Sequence, residues 1–197
     1  VTFIKDFVRT NKPYDQFVRE LLSSKGPVWE KGNGAVGYYF RDRGMPLDNM
    51  ANTVRIFLGT SLECAQCHDH KYDPISQGDF YRLRAFFDQS VKLKTNQSVN
   101  TLEPSADPKA TSQVHPRGNW QNPGPTISAA FPRIANPSGT AMTDELHPRL
   151  QLARWLTDPS HPLTARSIAN RVWQFHFGTG LSRTPSDFGV MGEEPSH

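Results

Sequence analysis

Cysteine is scarce in this chain. The 197 residues include only two, Cys64 and Cys67, so a framework of several disulfides is excluded and both thiols fall in one short phrase. No apolar run approaches a membrane span. There is no internal repeat and no signal-peptide pattern. Charge of one sign is not concentrated anywhere: the formal net charge is +3, and the scattered lysines and arginines give no basic run of the kind that grips nucleic acid. No Ser/His/Asp order, glycine-rich phosphate loop or close carboxylate pair stands out. Apolar content is modest at 36%, against 16 Pro and 14 Gly. That balance predicts packed helices joined by long irregular loops. The chain begins at Val1 without a Met and stops at Pro195-Ser196-His197. Both ends read as cuts in a longer polypeptide, so a missing leader carries no weight about export.

What is present is Cys64-Ala65-Gln66-Cys67-His68. C-x-x-C-H is the attachment pattern of c-type haem. Two thiols three positions apart can each add to one vinyl group of the porphyrin, and His68 follows to ligate the iron. A thioredoxin-like pair needs no histidine there and usually opens a helix after a strand; the residues before Cys64 read as helical. Zinc competes, because His70 adds a fourth ligand type. Four ligands within seven residues would strain a tetrahedron, and structural zinc sites usually space their second pair further off. The phrase therefore predicts one covalent haem c per chain, held by Cys64 and Cys67 with His68 as proximal ligand.

Helical periodicity places this phrase. Tyr14, Phe17, Val18, Leu21 and Leu22 form one stripe behind Pro13. Met50, Val54, Phe57 and Leu58 form another, entered at Asp48 and leading to Cys64. Ser76 and Asp79 resemble a capping box opening a helix with Phe80, Leu83, Phe86 and Phe87 on a broad face. Tyr38, Tyr39 and Phe40 pin a glycine-rich loop, either to the core or to a porphyrin face. From Val91 to Thr143 periodicity vanishes. Two further helices are predicted, one over about 144–157 and one capped by Thr164 whose inward stripe is Ile168, Ala169, Val172, Phe175 and His176. The fold expected is mainly α, with helices around the covalent haem and a long irregular or extended central segment. Its divisions are a haem-binding region over 1–90, a Pro/Gly-rich linker over 91–143 wrapping the surface, and a cut-off helical second domain over 144–197 packed on the first.

Several phrases, taken together, resemble a known family. Phe57-Leu58-Gly59, Cys64 through Ile75 and Asp79-Phe80-Tyr81 resemble the planctomycete-type cytochrome-c-like family, as does Asn11-Lys12-Pro13-Tyr14-Asp15-Gln16-Phe17 upstream. Arg117-Gly118-Asn119, Arg149 through Leu156, Asn170-Arg171-Val172-Trp173 and Asp187-Phe188-Gly189 resemble the planctomycete-specific domain that follows it. The resemblance implies a large periplasmic or secreted protein, often with another cytochrome-like domain upstream. It implies no settled reaction.

The sixth iron position divides the functional expectations. Met or His there gives a closed iron suited to electron transfer, and an open position allows small-molecule chemistry. His70 is too near His68 to reach the opposite face. His147 and His161 precede prolines in turns and are expected to be exposed. His176, on an apolar helical face, is the candidate distal ligand; the same place suits a core histidine with a hydrogen-bond partner. Asp69, His70 and Asp73 meet haem propionates, bind a cation or cap the following turn. The function expected is electron transfer within a larger exported redox protein, working with a redox partner or a further haem domain. The alternative is a haem enzyme, a peroxidase or sugar-oxidising domain, with an open iron.

Overall fold

A computed structural model of the chain describes residues 2–43, 45–88, 92–96, 99–103 and 110–197. The phrase after Asn11 starts a helix as its Pro predicts: α1 (Thr2–Arg9) is followed by α2 (Tyr14–Ser23), with Pro13 at its threshold. Phe7 of α1 packs on Phe17 of α2 with ring centroids 4.3 Å apart. A short α3 (Gly37–Phe40) precedes α4 (Pro46–Thr53). α4 starts two residues before Asp48, because Pro46 brings a helical φ to the first turn. It widens into a π-type turn over Val54–Leu58 and stops at Gly59, whose φ of 59° is left-handed. α5 (Gln77–Asp88) opens on a reciprocal box. Ser76 Oγ accepts the Asp79 N–H at 3.0 Å, and the Asp79 carboxylate accepts the Ser76 N–H at 3.1 Å. Two helices close the chain, α6 (Pro148–Leu156) and α7 (Thr164–Phe177).

Between α5 and α6 the chain forms strands, which pair with one another and with a short strand after α2. β1 (Gly26–Pro27), β2 (Lys92–Asn96) and β3 (Val99–Glu103) form an antiparallel sheet in the order β1-β3-β2, with Leu93 opposite Leu102. β4 (Thr111–Gln113) and β5 (Thr126–Ser128) form a second ladder, with Ser112 opposite Ile127. Ser112 Oγ donates to Asp88 at 2.6 Å, which fastens this ladder to the end of α5. Residues 91, 97–98 and 104–109 of the expected linker lie outside the described residues.

The expectation of helices around a haem is overturned. α5 is buried on nearly all sides, through Phe80, Tyr81, Leu83, Ala85, Phe86 and Phe87. Val18, Leu22, Tyr39, Met50 and Phe57 pack into the same core. Phe86, Phe131 and Trp155 stack in series, at 5.5 and 4.8 Å between centroids. Side chains occupy the space between α4 and α5, where a prosthetic group was expected. The Cys64 and Cys67 thiols are unpaired and exposed, and among the described residues no three His, Cys, Asp or Glu converge on a point that could hold a metal ion. Buried aromatic rings, among them Phe57, Phe80, Phe86, Phe87 and Phe131, and a set of buried polar groups fill this core.

Arg149 is the largest of those polar groups. It is 1% exposed, donates to the carbonyls of Leu22 (3.1 Å) and Ser24 (2.8 Å), and lies 4.8 Å over the Tyr39 ring. The carbonyls are the negative end of α2, so the cation faces the helix dipole with no carboxylate needed. Tyr39 and Tyr38 are pinned to this core, Tyr39 through a hydroxyl bond to the Leu22 carbonyl.

α7 also departs from its expected orientation. Its buried residues are Thr164, Ser167 and Asn170. Val172 and Phe175 face outward, Phe175 at 85% exposure. The reason lies in the end of α4, where the last carbonyls of a helix have no partner within it. Ser167 Oγ donates to the Ile56 carbonyl at 2.7 Å, and Arg171 to the Arg55 carbonyl at 2.9 Å. The polar face of α7 is the one that satisfies this end.

Candidate functional site

The motif grows out of the end of α4. After Gly59, Leu62 is buried and a 3₁₀ turn over Glu63–Gln66 brings the chain back toward α5. Ala65 is fully buried, and its N–H donates to the Leu62 carbonyl at 2.9 Å. The Gln66 carbonyl is gripped twice by α5, by Gln77 Nε2 at 2.9 Å and by the Tyr81 hydroxyl at 3.1 Å. Gln77 and Tyr81 stand four apart, on one face of the helix. Burial raises the Tyr81 pKa above the ordinary phenol value, which keeps its proton on the oxygen as a donor. With Ala65 inward and Gln66 held, Cys64, Cys67 and His68 are all left facing solvent.

His68 is oriented by its neighbour. Its Nδ1 stands 2.6 Å from the Asp69 carbonyl. A carbonyl only accepts, so Nδ1 carries the hydrogen and Nε2 keeps a free lone pair. A ligating imidazole is commonly fixed in this way. The Asp69 side chain points elsewhere: its Oδ1 accepts the Gln77 N–H at 2.7 Å and caps α5. His70 turns into the next bend. Its Nδ1 accepts the Asp73 N–H at 3.0 Å, and its own N–H donates to Ile75. Asp73 is buried and accepts the Val190 N–H at 2.7 Å. Asp69, His70 and Asp73 thus build the turn behind the motif.

His176 sits elsewhere. It is exposed near the end of α7, with Nδ1 donating to the Val172 carbonyl at 2.8 Å and its ring beside Phe177. The open apolar surface it lines is made by α7 residues, with none from Cys64–His68. His161 is buried, contrary to the expected exposure, and His147 is half-buried. The sequence did not point to Gln77, Tyr81 or the β4–β5 loop as parts of the site. The i,i+4 spacing of Gln77 and Tyr81 was a visible signal; the loop's approach is purely tertiary.

These features define a class: a mainly helical protein that presents two free thiols and a tautomer-fixed imidazole on one outer turn. Residues 1–92 match the family model PSCyt2, described as a protein of unknown function (DUF1549). Residues 148–197 match PSD1, described as a protein of unknown function (DUF1553). Both matches are to the planctomycete-type cytochrome-c-like domain families that the sequence phrases indicated, and they fall in the same order. No curated protein and no solved structure matches it. Among the described residues, no helix is long and apolar enough to cross a membrane.

Proposed function

We propose that this chain carries one haem c on its outer surface, through Cys64, Cys67 and His68, and passes electrons within a larger exported protein. The single observation that carries the reading is the state of the motif: both thiols free and exposed, and His68 Nε2 left open by the Nδ1 bond to Asp69. The residues fit a group that docks from outside the fold. Each thiol would add across one vinyl double bond, forming a C–S bond while its hydrogen goes to the terminal carbon, so no oxidant is consumed. Covalent anchoring retains the group in a dilute periplasmic or extracellular setting. When bound, haem supplies a one-electron couple. The chain's own residues position it: Ala65 and Gln66 fix the turn, and Asp69 fixes the imidazole. A redox partner protein or a further haem domain of the same polypeptide would complete the path.

Redox titration of the haem-loaded protein tests this role. A reversible one-electron transition with no prompt carbon monoxide adduct is the expected result. Rapid, complete binding of carbon monoxide to the ferrous protein would instead favour the haem-enzyme reading, with an open iron position.

A further inference from the structure

The loop between β4 and β5 stands against the motif, and one of its residues is in contact with an attachment thiol. Asn119 N–H donates to the Pro116 carbonyl at 3.0 Å across a tight turn whose central residues, Arg117 and Gly118, both have positive φ, 55° and 74°. Such turns favour Asn or Gly at the first central place. An arginine there is strained, and strain of this kind persists only where surrounding contacts over-determine the backbone. Three contacts hold this corner. Gln77 Nε2, which holds the Gln66 carbonyl, also donates to the His115 carbonyl at 3.2 Å. Gly118 N–H donates to the same carbonyl at 2.9 Å. The His115 ring lies edge-on to Tyr81, 5.7 Å between centroids. One side chain of α5 therefore ties the cysteine turn and the loop together.

The outcome of this tie is a close approach. A Cβ on Gly118 would lie 2.6 Å from Cys67 Sγ. No side chain fits there while Cys67 keeps its place, and the φ of 74° disfavours one independently. We infer that the Arg117–Gly118 corner is the second wall of the attachment site, and that Gly118 is a positioning residue which leaves the Cys67 thiol free to form its thioether. Among the described residues no glycine approaches Cys64 in this way, so the two thiols are not equivalent. This inference rests on the haem reading given above, and its first readout does not need haem.

The test compares Gly118→Ala and Gln77→Ala with the unaltered chain. The first readout is the rate at which iodoacetamide modifies each cysteine in the haem-free folded protein, followed by mass spectrometry of the two peptides. Gly118→Ala is expected to slow Cys67 by about tenfold relative to Cys64, because the added methyl crowds its sulfur. Gln77→Ala unties the loop and is expected to speed Cys67 relative to Cys64. Gln77→Ala also keeps the inference falsifiable if Gly118→Ala does not fold. The second readout is the pyridine haemochrome of matured Gly118→Ala, expected to show the red-shifted band of a single thioether, made through Cys64. An unchanged Cys67-to-Cys64 ratio in both variants overturns the inference. So does a matured Gly118→Ala protein with two thioethers. If the unaltered chain takes up no haem at all, the proposed function fails, while the alkylation ratio still decides whether Gly118 governs Cys67.

Discussion

The imidazole of His161 acts as a backbone acceptor. Its Nδ1 takes the N–H groups of Leu163 (3.3 Å) and Thr164 (3.2 Å), two orphan donors at the start of α7. His147 does the same for Arg149 at the start of α6, at 3.2 Å. Each is followed by a proline, so His-Pro is this chain's helix-start device in both places. The cap needs a bare Nδ1 and therefore a neutral ring. Burial lowers the His161 pKa from 6.5 to about 4, with Asp158 opposing the shift. Because the folded value lies below the unfolded one, the unfolded chain binds the proton first. The stabilisation is fully present above about pH 6.5 and is lost as pH falls toward about 4. Urea denaturation across that window should show a falling midpoint in the unaltered protein and a flatter profile in His161→Asn, since asparagine caps without titrating. Identical slopes would remove His161 from the account. At this scale the sequence was readable where a pattern is local: the spacing of Cys64, Cys67 and His68 is visible in the chain alone. The capping histidines did not, because X-Pro reads as a turn, and nothing in the sequence says that the turn is buried against Trp155, 4.5 Å from the His161 ring.

At the scale of elements, the end of α4 organises its surroundings. Its unpaired carbonyls draw in the polar face of α7, and the Gly59 carbonyl accepts the Phe188 N–H at 2.7 Å. The segment that follows continues to Asp73: Val190 donates to that carboxylate, and a Cβ on Gly189 would lie 2.5 Å from both of its oxygens. Asp187-Phe188-Gly189 therefore clamps the PSD1-matched part of the chain onto the PSCyt2-matched part, just behind the haem-type motif. Gly189→Ala should destabilise the protein by about 2 kcal/mol through overpacking against the buried Asp73 carboxylate. The check is the urea midpoint, together with faster proteolysis of the 182–197 segment. A variant of unaltered midpoint would mean that this contact gives way freely. Helix existence was legible from periodicity for α2, α4, α5 and α6. The inward face of α7 was not. A hydrophobic stripe predicts burial only when apolar contact is the strongest need of the partner surface, and here the partner offers carbonyls. Strand pairing of the central segment was also hidden, since β4 and β5 are three residues each and too short to alternate.

Across the whole molecule, the expectation that failed was the placement of the cofactor. The helices on either side of the motif were expected to surround a haem. The centre is instead closed by the aromatic faces of α5 and by buried polar groups such as Arg149, whose guanidinium donates to carbonyls at the end of α2. The motif lies on the outside, where Ala65 and the Gln66 carbonyl anchor a turn whose other three residues face solvent. The order of the two family matches, 1–92 and 148–197, was legible because it rests on linear phrases. The position of the motif in space was not, because it follows from what fills the core. The central claim is that this exposed motif attaches haem. Its most direct test is the intact mass of the denatured protein after expression with a c-type haem maturation system, paired with its pyridine haemochrome. The account predicts one haem per chain that survives denaturation, a c-type spectrum, and loss of both in Cys64→Ala/Cys67→Ala. A chain recovered with two free thiols and no porphyrin would contradict it.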